Sequence, residues 1–174
     1  MTNTDIQWGS SYDDGRESAK RLALLKKDLG WIKRGPLIDL GANAGFFSYG
    51  LADLSFDVTA IEPPNGKTFD PGRVSEHRVW VQGPEDLPEG TWDFAIVLSV
   101  LHHIPRWKEV LDEVINRTQR RLYIEVPHPN EHHKKWHGSA EQFEYLSNMS
   151  NARVIGEHNE VSKRFKRPLF RVDL

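Results

Sequence analysis

The 174-residue chain contains no cysteine, which excludes disulfide frameworks, thiolate zinc sites, iron–sulfur clusters and cysteine nucleophiles together. It also lacks any apolar run of bilayer length. The N-terminus, Met1-Thr-Asn-Thr-Asp-Ile-Gln-Trp8, has neither the basic region nor the apolar stretch of a signal peptide, so a cytoplasmic location with no membrane partner is expected. Charge of one sign is lacking too: 23 basic side chains against 25 acidic ones leave a net charge of −2. That balance argues against a nucleic-acid partner bound by phosphate neutralisation. What is present is 38% hydrophobic and 10% aromatic residues in a 20.1 kDa chain, enough for one core and about the size of one domain. The near-zero sum hides a gradient. Residues 1–116 carry 12 basic and 18 acidic side chains, while residues 117–174 carry 11 and 7, with five of the eight histidines.

No internal repeat, low-complexity tract or long linker interrupts an alternating series of elements. Arg16 to Leu29 places Leu22, Leu25 and Leu29 at helical spacing and stops at Gly30. Pro36-Leu-Ile-Asp-Leu-Gly41 reads as a strand, Ala44 to Leu54 as a helix, and Phe56-Asp-Val-Thr-Ala-Ile61 as a second strand. These form a βαβ unit. Pro, Asn and Gly between Glu62 and His77 break any regular element, so the helix before the third strand is expected to be missing. Strands are expected at Arg78–Val81, Phe94–Leu98 and Arg121–Val126, with a helix bearing Trp107, Val110, Leu111, Val114 and Ile115 before the last of these. Ala140 to Leu146 reads as a weaker helix. Arg153–Glu157 and Leu169–Val172 close the chain as two strands whose short connection requires an antiparallel pair.

The densest local signal is Leu37-Ile-Asp-Leu-Gly-Ala-Asn-Ala-Gly45, which puts Asp39, Gly41 and Gly45 at the turn from the first strand into the following helix. Glycine there lets backbone approach a ligand, and the helix N-terminus offers unpaired N–H groups. The same glycines could serve a purely steric turn. Glu62, about twenty residues on and at the end of the second strand, stands where a carboxylate can accept both hydroxyls of a ribose. Together the two features favour a nucleotide-like ligand.

These motifs, with Asp93-Phe-Ala-Ile-Val-Leu-Ser-Val-Leu-His-His103 and the closing strand pair, resemble the class I S-adenosylmethionine-dependent methyltransferases from about Leu37 to the end of the chain. The resemblance implies an α/β fold: a single doubly wound, mostly parallel seven-stranded sheet with an antiparallel last strand and helices on both faces. It implies an N-terminal flap and helix over 1–36 and a methyltransferase domain over 37–174, forming one compact domain. S-adenosyl-L-methionine is the implied cofactor, and no metal is required. By position, Asp39, Gly41, Ala42, Asn43 and Gly45 would line its methionine part, with Asp39 near the ammonium group. Glu62 would hold the ribose, with Pro63 beside the adenine. Ser99 would end the fourth strand at the switch point. Gly83 stands where the family usually carries an acid for the adenine amino group, which leaves Gln82, Glu85 or Asp86 for that contact; Glu85 and Asp86 equally could begin a polar surface turn. Asn43 occupies the place of the second glycine of the dinucleotide fingerprint, which argues against a pyrophosphate ligand.

Methyl transfer from a sulfonium is an in-line displacement, so alignment is the protein's main task. An oxygen acceptor of high pKa also needs a base, and His102 and His103 follow the fourth strand close to where the donor methyl should point. They could instead pack or orient the loop. The polar stretch Glu125–His137 follows the fifth strand on the same edge. Its histidines could collect a metal, assist transfer or contact a polar acceptor, and a solvated lid is the plain alternative. Trp8, Tyr12 and Arg16 could fold over the donor. The expected function is O-methylation of a small polar acceptor, a sugar or secondary metabolite. The alternatives are an RNA methyltransferase, resting on Arg117, Arg120, Arg121, Lys163, Arg164, Lys166 and Arg167, or a non-catalytic donor-binding module. A homo-oligomer could supply a missing acceptor wall.

Overall fold

The computed structural model describes residues 17–66, 68–131, 137–159 and 164–174. Seven strands form one sheet: β1 (Pro36–Leu40), β2 (Asp57–Glu62), β3 (Ser75–Arg78), β4 (Trp92–Leu98), β5 (Thr118–Glu125), β6 (Ala152–Asn159) and β7 (Lys166–Asp173). The order across the sheet is β3-β2-β1-β4-β5-β7-β6. β1 to β5 pair in parallel, whereas β7 runs antiparallel to both β5 and β6. The expected architecture, with its antiparallel closing pair, is therefore present.

Alternation along the central strands builds two separate apolar layers, because successive side chains point to opposite faces. Leu37, Val58, Phe94 and Ile96 pack with Leu25 and Leu29 of α1 (Ser18–Leu29) and with Phe47 and Leu51 of α2 (Phe46–Ala52). Ile38, Leu40, Ala95, Val97 and Leu122 face the other way, against Val110, Leu111 and Val114 of α3 (Trp107–Arg117) and Leu146 of α4 (Ser139–Ser147). Between β2 and β3 the described residues form turns and no helix, as expected; Phe69 and Val74 fill that part of the layer instead. The third strand differs from the expectation. It is Ser75–Arg78 and not Arg78–Val81, since an edge strand exposed along half its length needs no apolar alternation. Val79 N–H adds one bond to the Glu62 carbonyl before the chain leaves the sheet.

Candidate active site

The parallel strands end together along one edge, and the turn from β1 into α2 lies at its centre. Gly41 and Gly45 both take positive φ, 77° and 78°, a region closed to most side chains but open to glycine. The space is occupied as well. A Cβ on Gly41 would sit 2.6 Å from Val100 Cγ2, and one on Gly45 would sit 2.5 Å from Phe69 Cε1. The turn is held by N–H groups of Gly41 and Ala42 donating to the Ile61 carbonyl, and by Gly45 N–H donating to Ala42. Asn43 also takes positive φ, 54°, and its backbone N–H donates to Glu62 Oε1. Glycine turn and carboxylate, nineteen residues apart, are thus in direct contact.

Glu62 is only 7% exposed. Burial pushes its carboxyl up, against the lowering effects of the Asn43 N–H and the nearby Arg78 charge. Asp39, near the end of β1, is likewise buried. Its side chain points at α2, where Ser48 Oγ donates to Oδ2 at 2.5 Å, and burial pushes its carboxyl up to about 7. Gly45 offers α2 no side-chain cap, so Asp39 is the anion that meets that helix start. Pro63 is half-buried directly after Glu62.

In the segment after β3, the acidic residues are engaged with local partners. Gln82 is exposed, and its backbone N–H is held by Asp86 Oδ2 at 2.8 Å. Asp86 also accepts from Gly83 N–H, while Glu85 pairs with Arg106 at 2.6 Å with most of its side chain in solvent. Glu85 and Asp86 therefore begin a surface turn.

On the other side of the turn, β4 ends at Leu98 and Ser99 adopts φ 57°. Beyond it, Leu101–His103 form a short 3-10 turn that apolar periodicity had not foreshadowed. His102 is buried and His103 exposed, their rings 4.2 Å apart, and the His102 carbonyl accepts from His137 N–H at 2.8 Å. Beneath Ser99 lies a charged cluster that sequence patterning missed. Arg21 of α1 pairs with Glu125 at 2.7 Å, His158 meets the same carboxylate at 2.9 Å, and Ser99 Oγ bonds its other oxygen. Burial alone would raise the Glu125 carboxyl, yet Arg21, His158 and Ser99 hold it well below the usual carboxylate range. Arg167 grips Glu131 with both Nε and Nη2, and its Nη1 donates to Ser99 Oγ at 3.0 Å. One signal was available: Arg21 interrupts the buried stripe of an amphipathic helix.

Among the described residues, no three histidine or acidic side chains converge on a metal-sized site, and no helix is long and apolar enough to cross a membrane. Trp8, Tyr12, Arg16, His133 and Lys163 lie outside the described residues. Of the five arginines on which the RNA alternative rests, four are engaged within the chain, while Arg164 is exposed beside Phe165. Arg117 holds Glu113 and the Pro88 carbonyl, Arg120 the Lys33 carbonyl, Arg121 the Asp28 side chain, and Arg167 Glu131.

Residues 15–163 match the family model described as a methyltransferase domain. No curated protein matches the sequence significantly. Among solved structures, the bifunctional kinase-methyltransferase WbdD aligns with a TM-score of 0.67 and 26% identity, covering 90% of this chain and 40% of WbdD. This chain thus spans about two fifths of that protein's length. Magnesium protoporphyrin IX methyltransferase (ChlM) from Synechocystis PCC 6803, crystallised with bound SAH, aligns with a TM-score of 0.61 at 16% identity over 89% of this chain and 80% of its own. A putative O-methyltransferase from Nostoc punctiforme PCC 73102 gives 0.65 at 11% identity, covering 90% and 56%.

Proposed function

Because the chain belongs to the methyltransferase-domain family and has the seven-stranded fold of its class I S-adenosylmethionine-dependent members, we propose that it transfers a methyl group from S-adenosylmethionine to an oxygen of a small polar acceptor. The observation that carries this reading is the contact between the glycine turn and Glu62. A carboxylate kept from water at the end of β2, with one oxygen already oriented by Asn43 N–H, suits the paired hydroxyls of a ribose. The cation-bearing methionine part suits the same edge, where a nearby positive charge would favour the ionised forms of the Asp39 and Glu62 carboxyls that burial raises.

When bound, S-adenosylmethionine supplies an electrophilic methyl on a sulfonium that departs as a neutral thioether. Glu62 and the backbone of residues 41–45 would hold it, with Pro63 and Gln82 along the adenine margin. Ser99 and the turn after it face the side from which an acceptor must approach. His103 is exposed there and takes the acceptor hydroxyl proton on a ring nitrogen, while the buried His102 ring, tilted at 47° against it, fixes its orientation. A small acceptor is favoured over RNA because Arg117, Arg120, Arg121 and Arg167 are committed to carboxylates and carbonyls of the chain itself, which leaves Arg164 and Lys166 as the exposed cations of that set among the described residues. Titration calorimetry with S-adenosylmethionine and S-adenosylhomocysteine should show saturable binding, and labelled methyl should reach sugar, polyol or phenol hydroxyls. His103→Ala should lower turnover by about 100-fold or more. Absence of heat with both ligands would refute the reading.

A further inference from the structure

Ser99 is the only described non-glycine residue past the end of β4 with positive φ, at 57°, a conformation that persists in a side-chain-bearing residue when its surroundings over-determine it. Three contacts do so. Its N–H donates to the Glu125 carbonyl at 3.2 Å, its hydroxyl bonds Glu125 Oε1, and Arg167 Nη1 donates to the same hydroxyl at 3.0 Å. Arg167 is itself clamped by Glu131, which arrives from the segment after β5 and is 6% exposed. Glu125 has no oxygen to spare for a substrate, since Arg21 and His158 occupy its second one. The cluster is therefore a support and not a reacting group. What it supports is specific: the residue after Ser99 is Val100, whose Cγ2 lies 2.6 Å from where a Cβ of Gly41 would be. We propose that Arg167, fixed by Glu131, is a positioning residue that holds Ser99 in its left-handed turn and thereby seats Val100 against Gly41, tying the segment after β5 to the donor-binding turn. This inference rests on the function proposed above only in its consequence for the donor; the coupling to Ser99 stands on the contacts alone.

A positioning role differs from general structural support in being routed through one residue, so a double-mutant comparison reads it directly. Amide hydrogen exchange at Ser99 and Val100 and calorimetric affinity for S-adenosylhomocysteine are measured for the native chain, Arg167→Gln, Ser99→Ala and the double variant. Arg167→Gln is expected to speed exchange of those two amides at least tenfold relative to amides of β1, and to weaken S-adenosylhomocysteine at least tenfold. In the Ser99→Ala background the same change is expected to add less than twofold to either quantity. Losses that simply add would overturn the proposal. If Arg167→Gln does not fold, Arg167→Met combined with Glu131→Gln removes the pair without stranding a charge and is read in the same way. Altered exchange in a chain that never binds S-adenosylhomocysteine would refute the proposed function and leave the positioning intact; unaltered exchange with normal binding would refute the positioning alone.

Discussion

Replacing Glu62 by glutamine separates the cost of a binding residue to the fold from its use to the ligand. In the free protein the carboxylate is 7% exposed and its carboxyl is raised, chiefly by burial. The sign follows from linkage. Below the unfolded pKa the group is protonated in both states and carries no penalty; as pH rises through the higher folded value, the fold must hold a poorly solvated charge and loses stability. Glutamine keeps an oxygen for Asn43 N–H but never ionises, so Glu62→Gln should melt at or above the native temperature at neutral pH. Ligand affinity should move in the opposite direction. Losing charge-assisted hydrogen bonds to a diol costs about 1–3 kcal/mol, a factor of roughly 5 to 150 in dissociation constant. Thermal melting without ligand and calorimetry with S-adenosylhomocysteine measure the two quantities independently. Undiminished affinity would refute the assignment of this carboxylate, and so would a weakened affinity that merely tracked a loss of fold.

The other consequences concern the same edge. Burial raises the Asp39 carboxyl from 3.8 to about 7, so the stability it contributes is present at acid pH and is lost as pH climbs through 7, on the order of 4 kcal/mol in total. Asp39→Asn should therefore melt close to the native protein at pH 4 and above it at pH 8; parallel curves would sink the argument. Arg21→Met strands the buried Glu125 charge and should cost about 3–5 kcal/mol in denaturant unfolding. The Glu125 carboxyl is depressed in the fold, so this loss should shrink as pH falls; a cost below about 1 kcal/mol would mean that His158 and Ser99 suffice. Gly41→Ala meets both a positive φ and Val100, predicting at least about 1–2 kcal/mol of lost stability together with weakened S-adenosylhomocysteine binding. Native behaviour in both assays would contradict the packed turn.

The alternation of strands and helices was legible because hydrophobic period and glycine placement agree along the centre of the sheet, where Leu37–Leu40 and Phe94–Leu98 are buried on both faces. Glu62 was legible for a similar reason: its position at a strand end is fixed by local spacing. β3 was misplaced because Val79-Trp-Val81 has strand-forming residues while the true strand, Ser75–Arg78, is polar and sits at the edge, where pairing with β2 decides and propensity does not. The contact between Asp39 and Ser48 was hidden because Ser48 lies across a turn, on the next helix. The Arg21–Glu125 pair spans 104 residues, and no periodicity within either element reports a contact so remote. An arginine in a buried helical stripe and a glutamate closing an apolar strand were each visible alone, and only the fold joined them.

The bare connection between β2 and β3 gives this sheet an unequal grip on its two margins. Where β5, β7 and β6 are zipped together by long antiparallel ladders, the opposite border has a four-residue strand and turns whose Asp70, Pro71, Gly72 and Arg73 stand in solvent. Segments with few shared hydrogen bonds open at the smallest free-energy cost. If the donor sits on Glu62 as proposed, a nucleoside leaving along that border would part turns held by the Asp70–Tyr49 hydrogen bond and the Arg73–Asp53 pair, with the central ladder undisturbed. The tempo of product departure, and with it the ceiling on turnover, would then be written into the least regular stretch of the molecule.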